Sequence, residues 1–266
     1  MIPKIIHMCW FGTDNNSYPE DVQKCINSWK RYMPDYKIML WDSASFNPSV
    51  CRYTMEAYQE KKWAYVSDYV RLYAIYNYGG IYLDCDVEVL KPFDNLLYLK
   101  GFTGFEDDKY IASWILGGEK GNRTFKDLLQ HYDDRRFILE NGEYDMTPNP
   151  LPITKYFVKQ GLDVKKSSKI QKLEDITVFP MEYFCPFNPY RKAGECFTEN
   201  TYCNHYFNGS WKYADARRAL RIQTTLRRYV GYHLAFLLVF PYRVFSKLKR
   251  IGLWGILLKL GKKKKL

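Results

Sequence analysis

GGIYLDCDVEV, residues 79–89, sets two aspartates one residue apart inside an apolar run. With the period of two that a strand imposes, Ile81, Leu83, Cys85, Val87 and Val89 share one face, while Tyr82, Asp84, Asp86 and Glu88 share the other. The stretch predicts one strand carrying two carboxylates on one side. Immediately upstream, the segment from Lys62 to Tyr78 is aromatic and aliphatic without Gly or Pro. It predicts a helix closed by Gly79 and Gly80, residues that adopt positive φ without steric cost where the chain turns.

The rest of the first half alternates in the same way. KIIHMCW (4–10) reads as a first strand, PEDVQKCINSWKRYM (19–33) as a helix with Pro19 at its start, and KIMLW (37–41) as a second strand. That order predicts an α/β fold, a mainly parallel Rossmann-like sheet with crossover helices. Downstream, GFTGFE (101–106) and SWILGG (113–118) read as short strands and Asn122 to Glu140 as a helix. In MTPNPLPIT (146–154) the prolines argue against a regular element and for a substrate-facing loop. TYCNHYF (201–207) is a late apolar-aromatic piece that runs into NGSW, and low complexity is confined to the terminal KKKK.

A chain of 266 residues suffices for one large α/β domain with an appendage. The net charge of +11 is unevenly placed: Arg217 to Leu266 holds fourteen Lys or Arg and no Asp or Glu, so the first 216 residues are slightly acidic. This excludes a nucleic-acid reading for the main body. Seven cysteines without a CxxC pair fit a reducing compartment. MIPKIIHMCWFG has no long apolar core or small-residue cleavage pattern and reads as a strand, not as a signal peptide.

Ligands of parallel α/β sheets collect beyond the carboxyl ends of strands, where Asp84 and Asp86 are expected. Two carboxylates facing one way are costly to bury unpaired, and a hard divalent cation removes that cost. A calcium loop of the EF-hand type does not fit, since its required sixth-position glycine would be Val89. LDCDVEV also matches the hhhDxDxV pattern of aspartyl-nucleophile phosphotransferases, with Asp84 as nucleophile and Asp86 as acid and base. Those enzymes place the motif on their first strand and add a later acidic pair; here it lies 84 residues in, and no GDxxxD follows.

Taken with the upstream helix, SDYVRLYAIYNYGGIYLDCDVEVLKP (67–92) resembles, almost position for position, the sugar-binding DXD block of glycosyltransferases of the capsular-polysaccharide and initiating-mannosyltransferase group, family 32. IPKIIHMCWFG resembles the first strand of that family and HYFNGSW its closing segment. The resemblance covers residues 2–116 and 202–211. It implies a GT-A type fold, a nucleotide-diphosphate sugar donor, Mn²⁺ or Mg²⁺, and retention of anomeric configuration. It implies also that Asp84, Asp86 and His205 hold the metal, that Trp10 packs on the nucleobase, and that Ser67, Asp68 and Arg71 bind the donor sugar. Ser210 and Trp211 would contact the donor diphosphate, with Trp211 joining Asp84 and Asp86 as catalytic groups. No nucleophile is assigned. Without the resemblance, Asp68 and Arg71 would be only an i, i+3 ion pair, and His205 and Trp10 ordinary packing residues.

YVGYHLAFLLVFPY (229–242) is apolar over fourteen positions, short of the roughly 20 that span a bilayer. Beyond it Val244, Leu248, Ile251, Gly255 and Leu258 follow helical spacing, Arg243, Lys247 and Arg250 line a neighbouring stripe, and Trp254 lies nearby. That pattern predicts a basic amphipathic helix in the surface of an anionic membrane; the alternative is a solvated tail after a buried helix. The expected organisation is a catalytic domain, 1–216, and a membrane-associating tail, 217–266. Peripheral attachment to the cytoplasmic face would bring it to a lipid-linked oligosaccharide acceptor in surface-polysaccharide or capsule synthesis. Three function classes stand at this point: a metal-dependent glycosyltransferase, a phosphotransferase, and a non-catalytic membrane-associated nucleotide-sugar binding module.

Overall fold

The computed structural model describes residues 1–12, 18–190, 194–209 and 213–263, with side chains to Lys249. They form two compact units, one of residues 1–188 with 194–207 and one of 189–193 with 208–266.

The first unit is built on a seven-stranded sheet. Strand β1 (Ile5–Cys9) leads through helix α1 (Glu20–Tyr32) to β2 (Lys37–Trp41), which lies parallel beside it. The α1 helix starts after Pro19, carries Glu20 and Asp21 in its first turn and Lys30 and Arg31 in its last, and so complements its own dipole. Val22, Cys25, Ile26 and Trp29 recur at helical spacing and are its buried face. Helices α2 (Arg52–Gln59) and α3 (Trp63–Tyr78) follow, and the chain then enters β3 (Gly80–Leu83) on the other side of β1, again parallel. The connection thus reverses direction across the sheet between β1 and β3, the kind of place where open α/β sheets form a ligand crevice.

After β4 (Val87–Val89), strands β5 (Gly101–Gly104), β6 (Ile115–Gly118), β7 (Gln171–Lys172) and β8 (Thr177–Phe179) complete the main sheet in the order β2-β1-β3-β6-β5-β8-β7. The sheet is mixed: β6 is antiparallel to β3 and β5, β7 to β8, and the other five strands run one way. Helix α3 packs on β1, β3 and β6, and on α4 (Arg123–Gln130). Helix α5 (Pro150–Lys159) lies between β6 and β7 in sequence, and α6 (Met181–Phe184) follows β8. Strand β9 (Cys203–His205) pairs with β4 in a separate two-stranded sheet. The architecture is the α/β one that the alternating strand and helix signals predict, a mostly parallel sheet flanked by helices.

The helix–turn–strand passage depends on two glycines. Gly79 caps α3 at φ +67°, its N–H bonded to Ile75 O, and Gly80 follows at φ +112° with the position of a Cβ only 2.6 Å from Ile5 O. A side chain at Gly80 would push β3 off β1.

The structure corrects three local expectations. Residues 79–89 are not one strand: β3 stops at Leu83, Val87 N donates to Asp84 O to close a turn, and β4 leaves for a different partner. Both aspartates therefore stand in a turn, not on one face of a ladder. The helix expected over 122–140 ends at Gln130, where the N–H groups of Tyr132 and Asp133 bond back to Leu129 and Gln130 in tight turns. The prolines of 146–154 do not exclude a helix, because Pro150 opens α5 at a position whose N–H needs no helical partner.

In the second unit a fifty-residue helix, α7 (Ala214–Lys263), carries the basic segment, with Gly231 at φ +75° and Pro241 inside it. No helix among the described residues is long and apolar enough to cross a membrane.

Candidate active site

The main-chain path brings the acidic turn to a histidine. Asp84 extends the β3–β6 ladder by one bond, its N–H donating to Trp114 O at 3.0 Å, and the turn to Val87 follows. Helix α1 secures the far side: Trp29 Nε1 donates to Val87 O at 2.7 Å, and Ser28 Oγ accepts from Val89 N at 2.9 Å. The β4–β9 register sets Val87 opposite His205, and Tyr206 N donates to Asp86 O. His205 Nε2 consequently lies 3.1 Å from Asp86 Oδ1.

Ligand atoms of Asp84, Asp86 and His205 lie within 4.8 Å of one another. Two carboxylate oxygens and an imidazole nitrogen could hold a divalent cation. The His205 ring is held between Trp114, at 4.5 Å, and Phe207, at 4.0 Å. Burial alone would lower its pKa; the carboxylate of Asp86, with Asp84 and Glu106 behind it, outweighs that and holds it above the ordinary histidine value. A cation would relieve the same excess of negative charge.

Beside this triad is a second group, built on α3. Arg71 is buried, and its guanidinium reaches Asp68 Oδ1 at 3.1 Å and Asp84 Oδ1 at 3.5 Å. Its other donors go to Ser113 O at 2.8 Å, Ser113 Oγ at 3.0 Å and Ser67 O at 3.1 Å. Burial raises the Asp68 carboxyl to about 6, against the pull of Arg71 and Arg135. Ser67 Oγ donates to Trp63 O within the helix, so Ser67 meets Arg71 through its carbonyl. Trp10 follows β1 directly, packs edge-on against Tyr18 at 5.2 Å, and has a buried indole N–H without a partner among the described residues. Cys85 Sγ donates to Cys9 O at 3.0 Å and ties the ends of β3 and β1 together. Ser210 and Trp211 lie outside the described residues.

Four contributors were not singled out in the sequence. Tyr82 donates to Asp84 Oδ1 at 2.7 Å and lies under the Arg71 guanidinium at 4.9 Å; its place two residues before Asp84 is a local signal. Asn149, in the proline-rich stretch, is buried, donates to Asp68 O at 3.1 Å and accepts from Tyr132 Oη at 3.1 Å. Trp114 supplies the wall behind His205. Glu106 follows β5, and burial pushes its carboxyl up to about 7 with His205 opposing. The last two have no sequence signature, since only tertiary pairing brings them here.

Residues 19–102 match the family model described as glycosyltransferase sugar-binding region containing DXD motif. The chain is 32% identical to inositol phosphoceramide mannosyltransferase 3 of Schizosaccharomyces pombe over 125 residues, 46% of this chain and 34% of that protein. It is 25% identical to inositol phosphoceramide mannosyltransferase 2 of the same yeast over 93% of this chain and 69% of that protein. It therefore spans about a third of the length of the first and about two thirds of the second. Among solved structures it is similar to a chain titled PaToxG Glycosyltransferase, at 22% identity and a TM-score of 0.45, over 62% of this chain and 71% of that one. Residues 19–102 thus carry a DXD sugar-binding region of the glycosyltransferase kind, and the DXD block, its helix-borne Asp-x-x-Arg and the matching relatives agree in supporting a DXD glycosyltransferase of the family 32-like type.

Proposed function

We propose that this chain moves a hexose from a nucleotide-diphosphate sugar to a lipid-linked glycan acceptor, with retention of configuration and with Mn²⁺ or Mg²⁺. The observation that carries the reading is the convergence of Asp84, Asp86 and His205 on one point beside the Asp68–Arg71 pair. Asp84, Asp86 and His205 would hold the cation, which when bound supplies Lewis-acid stabilisation to the diphosphate as the sugar leaves. Arg71 stands between the Asp68 and Asp84 carboxylates and pairs with both. Asp68 then accepts hydrogen bonds from sugar hydroxyls and fixes the ring so that its anomeric carbon faces the acceptor. Trp10 offers an aromatic face and an indole N–H to the nucleobase, and the resemblance assigns the diphosphate contacts to Ser210 and Trp211.

The acceptor assignment is supported by the names of the relatives, whose acceptor is a ceramide lipid, and by the basic tail. The proposal includes two domains, 1–216 and 217–266, peripheral attachment to the cytoplasmic face of the cell membrane, and a part in surface-polysaccharide or capsule synthesis.

The test is a thermal-shift panel of nucleotide-sugars with Mn²⁺, followed by product analysis, because a ligand of the native state raises its stability as the logarithm of its concentration over Kd. One donor should stand out and release nucleoside diphosphate. Release of inorganic phosphate from simple monoesters would instead identify a phosphotransferase, and binding without any nucleotide release a binding module.

A further inference from the structure

The face of α7 between Leu234 and Phe245 is apolar and open. Leu234, Leu237, Leu238, Pro241, Val244 and Phe245 recur at i, i+3, i+4, i+7, i+10 and i+11, and each is exposed, Leu237 by 63% and Phe245 by 67%. At 100° per residue they occupy one stripe. Ala235 and Val239, on the opposite side of the helix, are buried. Lys247 borders the stripe on one side and Lys249 on the other. A face of this kind is ordinarily covered, and the charge around it selects the cover. From Arg217 to Leu266 the chain has fourteen basic and no acidic residues, so a second copy of the same face would meet it with like charge. An anionic phospholipid leaflet offers both an apolar interior and the opposite charge.

We infer that this stripe is the surface that docks the protein on an anionic membrane, with α7 lying in the plane of the interface, Leu234, Leu237 and Phe245 inserted and Lys247 and Lys249 on lipid phosphates. The inference deepens the functional reading by naming the residues that meet the leaflet in which a lipid-linked acceptor resides. The fourteen-residue apolar run, which is too short to span, is then long enough to lie flat.

Full-length protein is to be sedimented with vesicles of phosphatidylglycerol and phosphatidylcholine, and with phosphatidylcholine alone, at about 0.1 M salt, close to a Debye length of about 10 Å. Wild type should pellet with the anionic vesicles. Leu234→Glu/Leu237→Glu/Phe245→Glu should lose partitioning by on the order of tenfold or more, since three exposed apolar side chains no longer insert. Lys247→Gln/Lys249→Gln, which leaves the apolar stripe intact, should lose binding to anionic vesicles only. Equal vesicle binding by wild type and the triple variant would overturn the inference. So would wild type remaining in the supernatant, or a dimer in light scattering that the triple variant dissolves. Donor turnover on a water-soluble acceptor, measured on the same preparations, keeps the two readings apart: its absence in wild type counts against the glycosyl-transfer reading, and its retention in the triple variant isolates the membrane contact.

Discussion

His205 Nε2 lies 3.1 Å from Asp86 Oδ1 across 119 positions of sequence. Backbone pairing makes this join, because Val87 opposes His205 in the β4–β9 ladder and Tyr206 N bonds to Asp86 O. The histidine is therefore placed by register, and a side chain of similar shape should leave the register unchanged.

His205→Phe is expected to fold normally, keeping its ring contacts to Trp114 and Phe207, while the metal concentration needed for half-maximal donor turnover rises. Loss of a ligand should cost at least the 10–100-fold that loss of a supporting group costs at metal sites, on the order of 100-fold. Titrating Mn²⁺ against turnover reads this directly; an unchanged curve would remove His205 from the metal shell.

Arg71→Ala is expected to destabilise the fold as well as to depress turnover. The guanidinium stands between two carboxylates in a buried site, and its removal leaves both facing one another, at a cost of about 3 kcal/mol or more. Urea denaturation checks it. Adding Asp68→Asn to Arg71→Ala should recover part of the lost stability, because one of the stranded charges is gone, but should not recover turnover.

Acid should weaken the fold through His7. This fully buried residue has Nε2 2.7 Å from Gly79 O and accepts at Nδ1 from Trp41 Nε1, an arrangement that requires the neutral ring. Burial lowers its pKa to about 4, against the ordinary 6.5 of the unfolded chain. Between those values the unfolded state binds the extra proton, so the contribution is full above 6.5 and is lost as pH falls through 4, in total about 3 kcal/mol. Denaturation midpoints measured from pH 7.5 to 4.5 should fall more steeply for wild type than for His7→Gln, by up to about one proton per molecule.

Gly80→Ala should be among the most damaging single-methyl changes in the chain. Its φ of +112° and the 2.6 Å approach of a Cβ to Ile5 O leave no unstrained conformation. Because β3 would have to move away from β1, Asp84 would move with it. Both thermal stability and metal affinity are expected to fall together, whereas Gly161→Ala, where no heavy atom lies within 4 Å of the added methyl, should affect stability alone and more mildly through its positive φ.

The parts of this architecture that depend on short-range periodicity were legible in the sequence: β1, α1, β2, α3 and the glycine turn all follow apolar spacing and local breakers. The DXD block was legible as a string because its members are neighbours. Where the fold exceeded that reading, nonlocal pairing decided. Alternation through residues 81–89 has the same pattern whether the chain continues straight or turns at Asp84, and only β9, more than a hundred residues later, draws Val87–Val89 into another sheet. Glu106 and Trp114 enter the site for the same reason, through the β5 and β6 positions in the strand order. Arg71 was legible as the partner of Asp68 on one helix face, but its contact with Asp84 needed α3 packed against β3.

The central claim is that the acidic turn and His205 form one cation site serving a nucleotide-diphosphate donor, and electron paramagnetic resonance of Mn²⁺ tests it most directly. Free Mn²⁺ is titrated into full-length wild type and into Asp86→Asn, each with and without nucleoside diphosphate. Asp86→Asn should stay folded, since it removes a charge from a crowded acidic turn, and should lose transfer. Wild type is expected to bind about one ion, more tightly when the nucleotide is present, and the variant to lose that binding. Equal binding by a folded Asp86→Asn, or no protein-bound Mn²⁺ in wild type with nucleoside diphosphate present, would contradict the account.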